Sequence, residues 1–420
     1  KKRFYVCLLM KLKCAKEDEK MQTPDSMRIA IGIFGRTNSG KSSLLNAIAD
    51  QNFSIVSDKK GTTTDPVKKA MELPGTGAVL FTDTAGFCDD GELGVLREEK
   101  TLQVLDKSDV VLAVFSCEET NFDWLKKILC KGKKLICVLT KTDCADSKEI
   151  EDAKKRIFSV TQTEPVLFSA VTKKGLSELV KKIGEATHHG HEEEFALTHG
   201  LCKKNDTVLL VMPQDIQAPK GRLILPQVRV MRELLDKKCI VVSCTGDTLE
   251  QTLSSLCKAP QLIITDSQLF SKVHELCPKE SKLTSFSILM AAEKGNIDDF
   301  IKGAAALDNL CSESRILIAE ACTHVPQKED IGREKIPALL RKKCPSVKID
   351  FVRGTDFPSS LENSDGSARY SLIIHCGACM FNREYVLQRQ TAAKKAKIPM
   401  TNYGIAIAKL TGILSDVFVN

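Results

Sequence analysis

Five residues could gather round one metal: Cys322 and His324, then after a long gap His375, Cys376 and Cys379. Together they offer three thiolates and up to two imidazoles. Cys322, Cys376 and Cys379 suit a [4Fe-4S] cubane whose fourth iron stays open to His324, a carboxylate, water or an external ligand. Three cysteines and a histidine are also an accepted structural zinc set, and spacing does not separate the two. A lone Cys-x-x-Cys carries little weight among 17 cysteines in 420 residues, but position adds to it. Ser314 to Glu320 (SRILIAE) and Ser371 to Ile374 (SLII) are short apolar runs of the kind that form buried parallel strands. Cys322 and His375-Cys376 then fall at strand carboxyl ends, where open α/β sheets build their sites. Gly377 and Ala378 leave little bulk around the sulfurs, and a helix starting near Asn382 would aim its positive end at an anionic cluster.

A second centre lies near the other end. Gly35-Arg-Thr-Asn-Ser-Gly40-Lys41-Ser42 follows an apolar run and fits the phosphate loop G-x-x-x-x-G-K-S/T. Backbone N–H groups from Gly35 through Asn38, Ser39, Gly40 and Ser43 would close round phosphate oxygens at a helix amino terminus. Lys41 would neutralise the outer phosphates and the Ser42 hydroxyl would ligate Mg2+. Asp83-Thr-Ala-Gly86 puts a carboxylate beside that ion and a flexible glycine near the terminal phosphate. In Thr140-Lys141-Thr142-Asp143, the Asp143 carboxylate can accept two hydrogen bonds from a guanine edge that adenine does not offer. Ser169-Ala170 completes a base pocket, so GTP and GDP are the expected nucleotides.

These segments, in this order, resemble the motifs of small GTPases. Thr140 stands where asparagine is usual, which predicts weaker bracing of the base against the phosphate loop. Gly61-Thr-Thr-Thr-Asp-Pro66 resembles the switch of the TrmE/Era-like branch, which implies that Thr63 reaches Mg2+ and the terminal phosphate. Asn38 resembles the loop asparagine that helps to hold K+ in that branch, where the ion does part of an arginine finger's work. Phe87 occupies the place of the water-positioning glutamine of Ras-like GTPases, which implies slow hydrolysis carried by Lys41, Thr63, Asp83 and Gly86.

The elements that position these residues follow one rhythm. Ile29 to Phe34, Ala78 to Phe81, Val110 to Phe115, Leu135 to Leu139 and Pro165 to Phe168 are apolar strand candidates separated by helical stretches. Thr207 to Met212, Cys239 to Cys244, Gln261 to Thr265, Leu283 to Ile288, the two strands carrying the Cys/His residues and a short strand near Met400 continue it. The fold class is therefore α/β: a phosphate-loop GTPase domain followed by two further parallel-sheet units. Residues 1–27 form an amino-terminal extension, 28–186 the GTPase domain, 187–204 a linker, 205–262 a small middle domain and 263–420 the Cys/His domain. The linker holds His188 to Glu194 (HHGHEEE), a solvated stretch rather than a metal site.

Composition bounds the function. The net charge of +7 is spread along the chain and aromatics are only 5%, so no basic stretch interleaves with stacking residues and nucleic-acid binding is not indicated. Seventeen cysteines fit a reducing compartment, and Cys130, Cys137 and Cys239 read as small apolar residues. Lys1 to Met10 has the order of a signal peptide, but its apolar run is seven residues, followed by Lys11 and Lys13, and is too short to span a membrane. Met21 reads as the true start, with a targeting extension at 1–20 as the other reading. Cytoplasm is the expected place, organellar targeting not being excluded.

GTPase, middle unit and terminal Cys-x-His...His-Cys-x-x-Cys, in that order, closely resemble the [FeFe]-hydrogenase maturation GTPases. The likeness runs from residue 28 to 420 and includes Ala218 to Gln227 (APKGRLILPQ), Cys322 to Pro326 with Glu329 to Gly332, and Pro399 to Gly404 (PMTNYG). It implies a dimerisation domain in the middle, a [4Fe-4S] cluster on the three cysteines, and delivery of a transient di-iron subcluster to apo-[FeFe]-hydrogenase, with the radical-SAM hydrogenase maturases as further partners. His324, His375 and Glu329 are the candidates for the fourth ligand or for a place behind the ligands, supporting them. A different reading is a regulatory or ribosome-associated TrmE/Era-like GTPase with a structural zinc site. A radical enzyme lacks its Cys-x-x-x-Cys-x-x-Cys run.

Overall fold

The computed structural model describes residues 23–50, 55–59, 66–86, 92–187, 196–198, 200–213, 223–321, 330–358 and 360–418. The chain divides into two compact units, one up to His189 and one from Gly190. Thr63, Phe87, the 188–194 linker, Cys322, His324 and Glu329 lie outside the described residues. Among those described, no helix is long and apolar enough to cross a membrane.

The first unit is built on strands β1 (Ile29–Phe34), β2 (Ile55–Lys59), β3 (Val67–Leu73), β4 (Gly77–Asp83), β5 (Val110–Ser116), β6 (Lys134–Thr140) and β7 (Val166–Leu167). They form one sheet in the order β2-β3-β4-β1-β5-β6-β7. Strand alternation splits its core into two layers. Val110, Leu112 and Val114 of β5 pack with Leu44, Leu45 and Ile48 of the helix Lys41–Ala49 and with Leu176, Leu179 and Ile183. Val111, Ala113 and Phe115 face the other way, onto Trp124, Leu125, Ile128, Ala153 and Ile157. The strand is apolar from Val110 to Phe115 because both faces are covered there. Strands β2 and β3 were not legible as strands; they run antiparallel to their neighbours, and β3 returns to β4 through a turn at Pro74-Gly75-Thr76, with Gly75 at φ 75°. Residues before β1 belong to this unit too, because the buried Arg28 side chain donates to the Thr23 carbonyl at 3.1 Å and to the Met71 carbonyl of β3 at 3.5 Å.

In the second unit, β8 (Thr207–Val211), β9 (Ile240–Cys244), β10 (Leu262–Thr265) and β11 (Lys282–Ser285) form a parallel sheet ordered β11-β10-β8-β9. Strands β12 (Arg315–Glu320), β13 (Lys348–Arg353), β14 (Leu372–His375) and β15 (Met400–Asn402) form a second parallel sheet ordered β13-β12-β14-β15. The first of these sheets reaches Ser285, so it takes in β10 and β11 beyond the boundary expected at residue 262. It also lies between two apolar clusters: Leu209, Val211 and Ile263 face one, which extends over the second sheet, and Val208, Leu210, Leu262 and Ile264 face the other. The strand expected over Leu283 to Ile288 stops at Ser285, because the Ser285 hydroxyl accepts from the Ile288 N–H at 3.2 Å and starts the helix Phe286–Lys294.

Candidate functional site

The phosphate loop leaves β1 and enters the helix Lys41–Ala49 at Gly40, which has φ 92° and caps the helix without a side-chain acceptor. The first N–H groups therefore remain available to an anion. A Cβ on Gly35 would lie 2.3 Å from the Val114 carbonyl, so the loop passes too close to β5 for any side chain there. Asn38, at φ 63°, is exposed, whereas Ser39 and Lys41 are buried. The Lys41 ammonium donates to the carbonyls of Gly35 at 3.2 Å and Arg36 at 2.8 Å.

Beside it, Asp83 ends β4 with Oδ2 accepting from the Ser42 hydroxyl at 2.6 Å. Its other oxygen is buried without a partner among the described residues. Burial raises the Asp83 pKa, and the Ser42 hydrogen bond and the Lys41 charge oppose it. A buried, half-satisfied carboxylate against a loop hydroxyl is what a Mg2+ ion would complete. Gly86 comes so near the loop that a Cβ would lie 2.4 Å from the Thr37 nitrogen.

Weaker bracing of the base was expected of Thr140, and its own contacts run to the phosphate loop. Its hydroxyl points at the Ser39 carbonyl at 2.6 Å and the Phe115 carbonyl at 3.0 Å, so the end of β6 is tied directly to the phosphate loop. Lys141 adopts φ 56°, and exposed Asp143 has its pKa lowered chiefly by a hydrogen bond from Ser169. Asp143 and Ser169, 26 positions apart, are thus brought together, and the Ser169 hydroxyl also accepts from the Thr172 N–H at 3.1 Å. Ala170 packs half-buried beside them.

In the second unit, Cys376 and Cys379 sit just past the carboxyl end of β14. The Cys376 sulfur accepts from the Ala321 N–H at 3.1 Å and the Ala378 N–H at 3.4 Å. Donation to sulfur favours a thiolate or a cluster ligand over a thiol. Ala378 takes φ 55°, which curls the chain so that both sulfurs belong to one turn. Cys379 is half-buried; burial raises its pKa, while Lys294 and Arg229 lower it. The helix Arg383–Lys395 begins at Asn382, whose side chain caps it from Tyr385 N at 3.4 Å, so its amino end follows closely on Cys379. These are fitting surroundings for an anionic metal group.

His375 is fully buried and both its ring nitrogens are engaged. Nε2 lies 2.8 Å from Nη1 of Arg389, and Nδ1 lies 2.8 Å from the Cys376 carbonyl. A guanidinium can only donate, so Nε2 accepts and Nδ1 carries the proton. Burial and the Arg389 charge push the imidazole pKa down to about 3. With both ring nitrogens engaged by protein partners, this arrangement suits His375 to supporting a ligand from behind. Arg389 itself carried no sequence signal beyond being one cation on a helix face. Gly332 was part of a motif, and a Cβ there would lie 2.3 Å from the Tyr403 hydroxyl and 2.6 Å from Glu320 Oε1. Glu320, ending β12, pairs with Arg333 at 2.8 Å and Arg353 at 3.3 Å. Among the described residues no group of three or more His, Cys, Asp or Glu is preformed for a metal ion.

Residues 197–295 match the family model described as the hydrogen maturase F dimerization domain and residues 298–419 that of the hydrogen maturase F tetramerization domain. Residues 30–141 match the 50S ribosome-binding GTPase model. The chain is 36% identical over 176 residues to GTPase Der of Wolinella succinogenes, covering 40% of this chain and 37% of that protein. It is 33% identical over 241 residues to the tRNA modification GTPase MnmE of Phocaeicola vulgatus, covering 54% of this chain and 47% of that protein. The chain thus spans less than half the length of these curated relatives. Among solved structures, Aquifex aeolicus Era bound to GDP·AlF4- has a TM-score of 0.34 at 23% identity, covering 51% of this chain and 92% of that one.

Proposed function

Because this chain belongs to the hydrogen maturase F family, two of whose domain models match over half of it, we propose that it is a GTP-hydrolysing scaffold that holds a [4Fe-4S] cluster and delivers a di-iron precursor to apo-[FeFe]-hydrogenase. The observation that carries the metal half of this reading is the Ala321 N–H donated to the Cys376 sulfur. Cys322 follows Ala321 directly in the chain, which supports counting it as the third ligand. Cys322, Cys376 and Cys379 would hold the cluster. With His375 committed to protein partners, His324 and Glu329 are the candidates for the fourth position. When bound, the cluster supplies an exchangeable corner to which the di-iron cargo can attach.

In the GTPase half, Lys41 and the uncapped helix end would take the phosphates, Ser42, Thr63 and Asp83 would hold Mg2+, and Asp143 with Ser169 and Ala170 would read guanine. Asn38 would hold K+, and hydrolysis would be slow. Homodimerisation falls to the middle domain: Val228 and Leu235 on the helix Leu225–Asp236 and Ile240 on the edge strand β9 are large, exposed apolar residues. The partners would be the hydrogenase and its radical-SAM maturases, in a reducing cytoplasm.

Anaerobic purification tests this reading. The protein should be brown, with broad absorbance near about 400 nm, and Cys376→Ala or Cys379→Ala should lose most of it while GTP turnover persists. Lys41→Ala should do the reverse. Turnover should drop several-fold when Na+ replaces K+, and Asn38→Ala should erase that difference. A colourless protein binding one zinc would sink the carrier reading in favour of a structural zinc site.

A further inference from the structure

Arg389 is a charged residue with almost no access to water. It is 3% exposed, and its guanidinium lies over three aromatic rings, 4.6 Å from the centroids of Phe357 and Phe381 and 4.7 Å from that of Tyr385. Its hydrogen bonds are specific: Nη1 to His375 Nε2 at 2.8 Å, and Nη2 to the Gly354 carbonyl at 2.6 Å and to the Tyr385 hydroxyl at 3.4 Å. Burying a cation is costly unless something compensates, and no carboxylate is among these partners. Tyr385 supports the guanidinium against the effect of burial, and Cys376, one residue from His375, would add to that support as a thiolate.

Resting on the metal-centre reading above, we propose that Arg389 is a positioning residue for that centre: its fixed charge makes the cluster easier to reduce, and its donation to His375 locks the ring that anchors Cys376. Two separable effects follow. A buried cation close to a cluster stabilises the form that carries one more electron, so it raises the reduction potential, and the dry aromatic walls keep water from screening it. Donation from Nη1 leaves Nε2 only the acceptor role, so Nδ1–H faces the Cys376 carbonyl and fixes the backbone on which the sulfur is mounted.

Two substitutions separate charge from donation. Arg389→Gln can still donate to Nε2 but is neutral; Arg389→Lys keeps the charge. In full-length protein with its cluster reconstituted, a dithionite titration followed by electron spin resonance should place the midpoint of Arg389→Gln at more negative potential than the parent, with Arg389→Lys close to the parent. In metal-free protein labelled with 15N-histidine, the parent should show one buried imidazole wholly in the Nδ1–H form, and Arg389→Met should show mixed tautomers. Should Arg389→Met fail to fold, Arg389→Gln and Arg389→Lys, both able to donate, should retain the single tautomer. A parent that takes up no cluster overturns the proposed function itself. A parent cluster whose midpoint does not move in Arg389→Gln overturns only the role given to the charge, and a parent His375 carrying its proton on Nε2 overturns the lock.

Discussion

At Thr140 one hydroxyl faces two segments of backbone. Its oxygen sits where it can serve both the phosphate-loop carbonyl of Ser39 and that of Phe115, though its single proton satisfies one at a time. Replacing it with valine keeps the shape and leaves a buried carbonyl unpaired, a loss of about 1–3 kcal/mol. Thr140→Val should therefore weaken GDP binding roughly tenfold in a calorimetric titration, with Thr140→Ser near the parent; equal affinity in all three would remove the brace from the account. The loop, Asp83, Asp143 and the cysteine pair were legible because chemistry fixes their spacing along the chain. The Thr140 brace was not, since the partner is a carbonyl 101 positions away and any residue could supply that. Nor was Arg389, whose meeting with His375 depends on how the helix Arg383–Lys395 lies against β14.

At the scale of elements, Glu233 holds the chain that enters the second unit. From the helix Leu225–Asp236 it accepts from the N–H groups of Leu197 at 2.6 Å and Thr198 at 2.8 Å and from the Thr198 hydroxyl at 2.6 Å, with Lys237 at 3.2 Å. Burial alone would raise its pKa, but the Thr198 and Leu197 donors and Lys237 outweigh it and the pKa is lowered. A carboxyl depressed in the folded state adds stability that is present above its unfolded value, about 4.3, and is lost as pH falls through the folded value. Glu233→Gln should cost about 1–3 kcal/mol in urea unfolding at pH 7, and the gap to the parent should close below about pH 4. A constant gap across that range would mean that packing, not charge, carries the clamp. Strands β1, β5 and β12 were readable because both their faces are apolar. Strand β13 was missed because it lies at a sheet edge with its side chains only half-buried, so KIDFVR keeps polar residues that blur the pattern. Strand β3 was missed for a similar reason, its exposed Lys68 and half-buried Lys69 standing between half-buried Val67 and buried Ala70 and Met71.

For the whole molecule, the division near residue 190 means that each unit buries its own apolar clusters. Each should then fold without the other. A fragment of residues 23–187 should bind GDP with the affinity of the full chain, and one of residues 196–420 should take up the iron group and sediment as a dimer or larger. Loss of nucleotide binding in the first fragment, or a monomer at tens of micromolar in the second, would show that each unit needs the other. The family models make the same division, one set matching up to residue 141 and the other from 197.

The two sulfurs of the Cys-x-x-Cys turn rest on different supports: Cys376 packs on the apolar cluster that spans both sheets of the second unit, and Cys379 on the cluster lining the far face of the β8 to β11 sheet. Whatever both sulfurs grip would act as a rivet between the two apolar layers. Amide exchange should therefore slow together at β8 and β12 once the rivet is in place, and a single chelation step should release both.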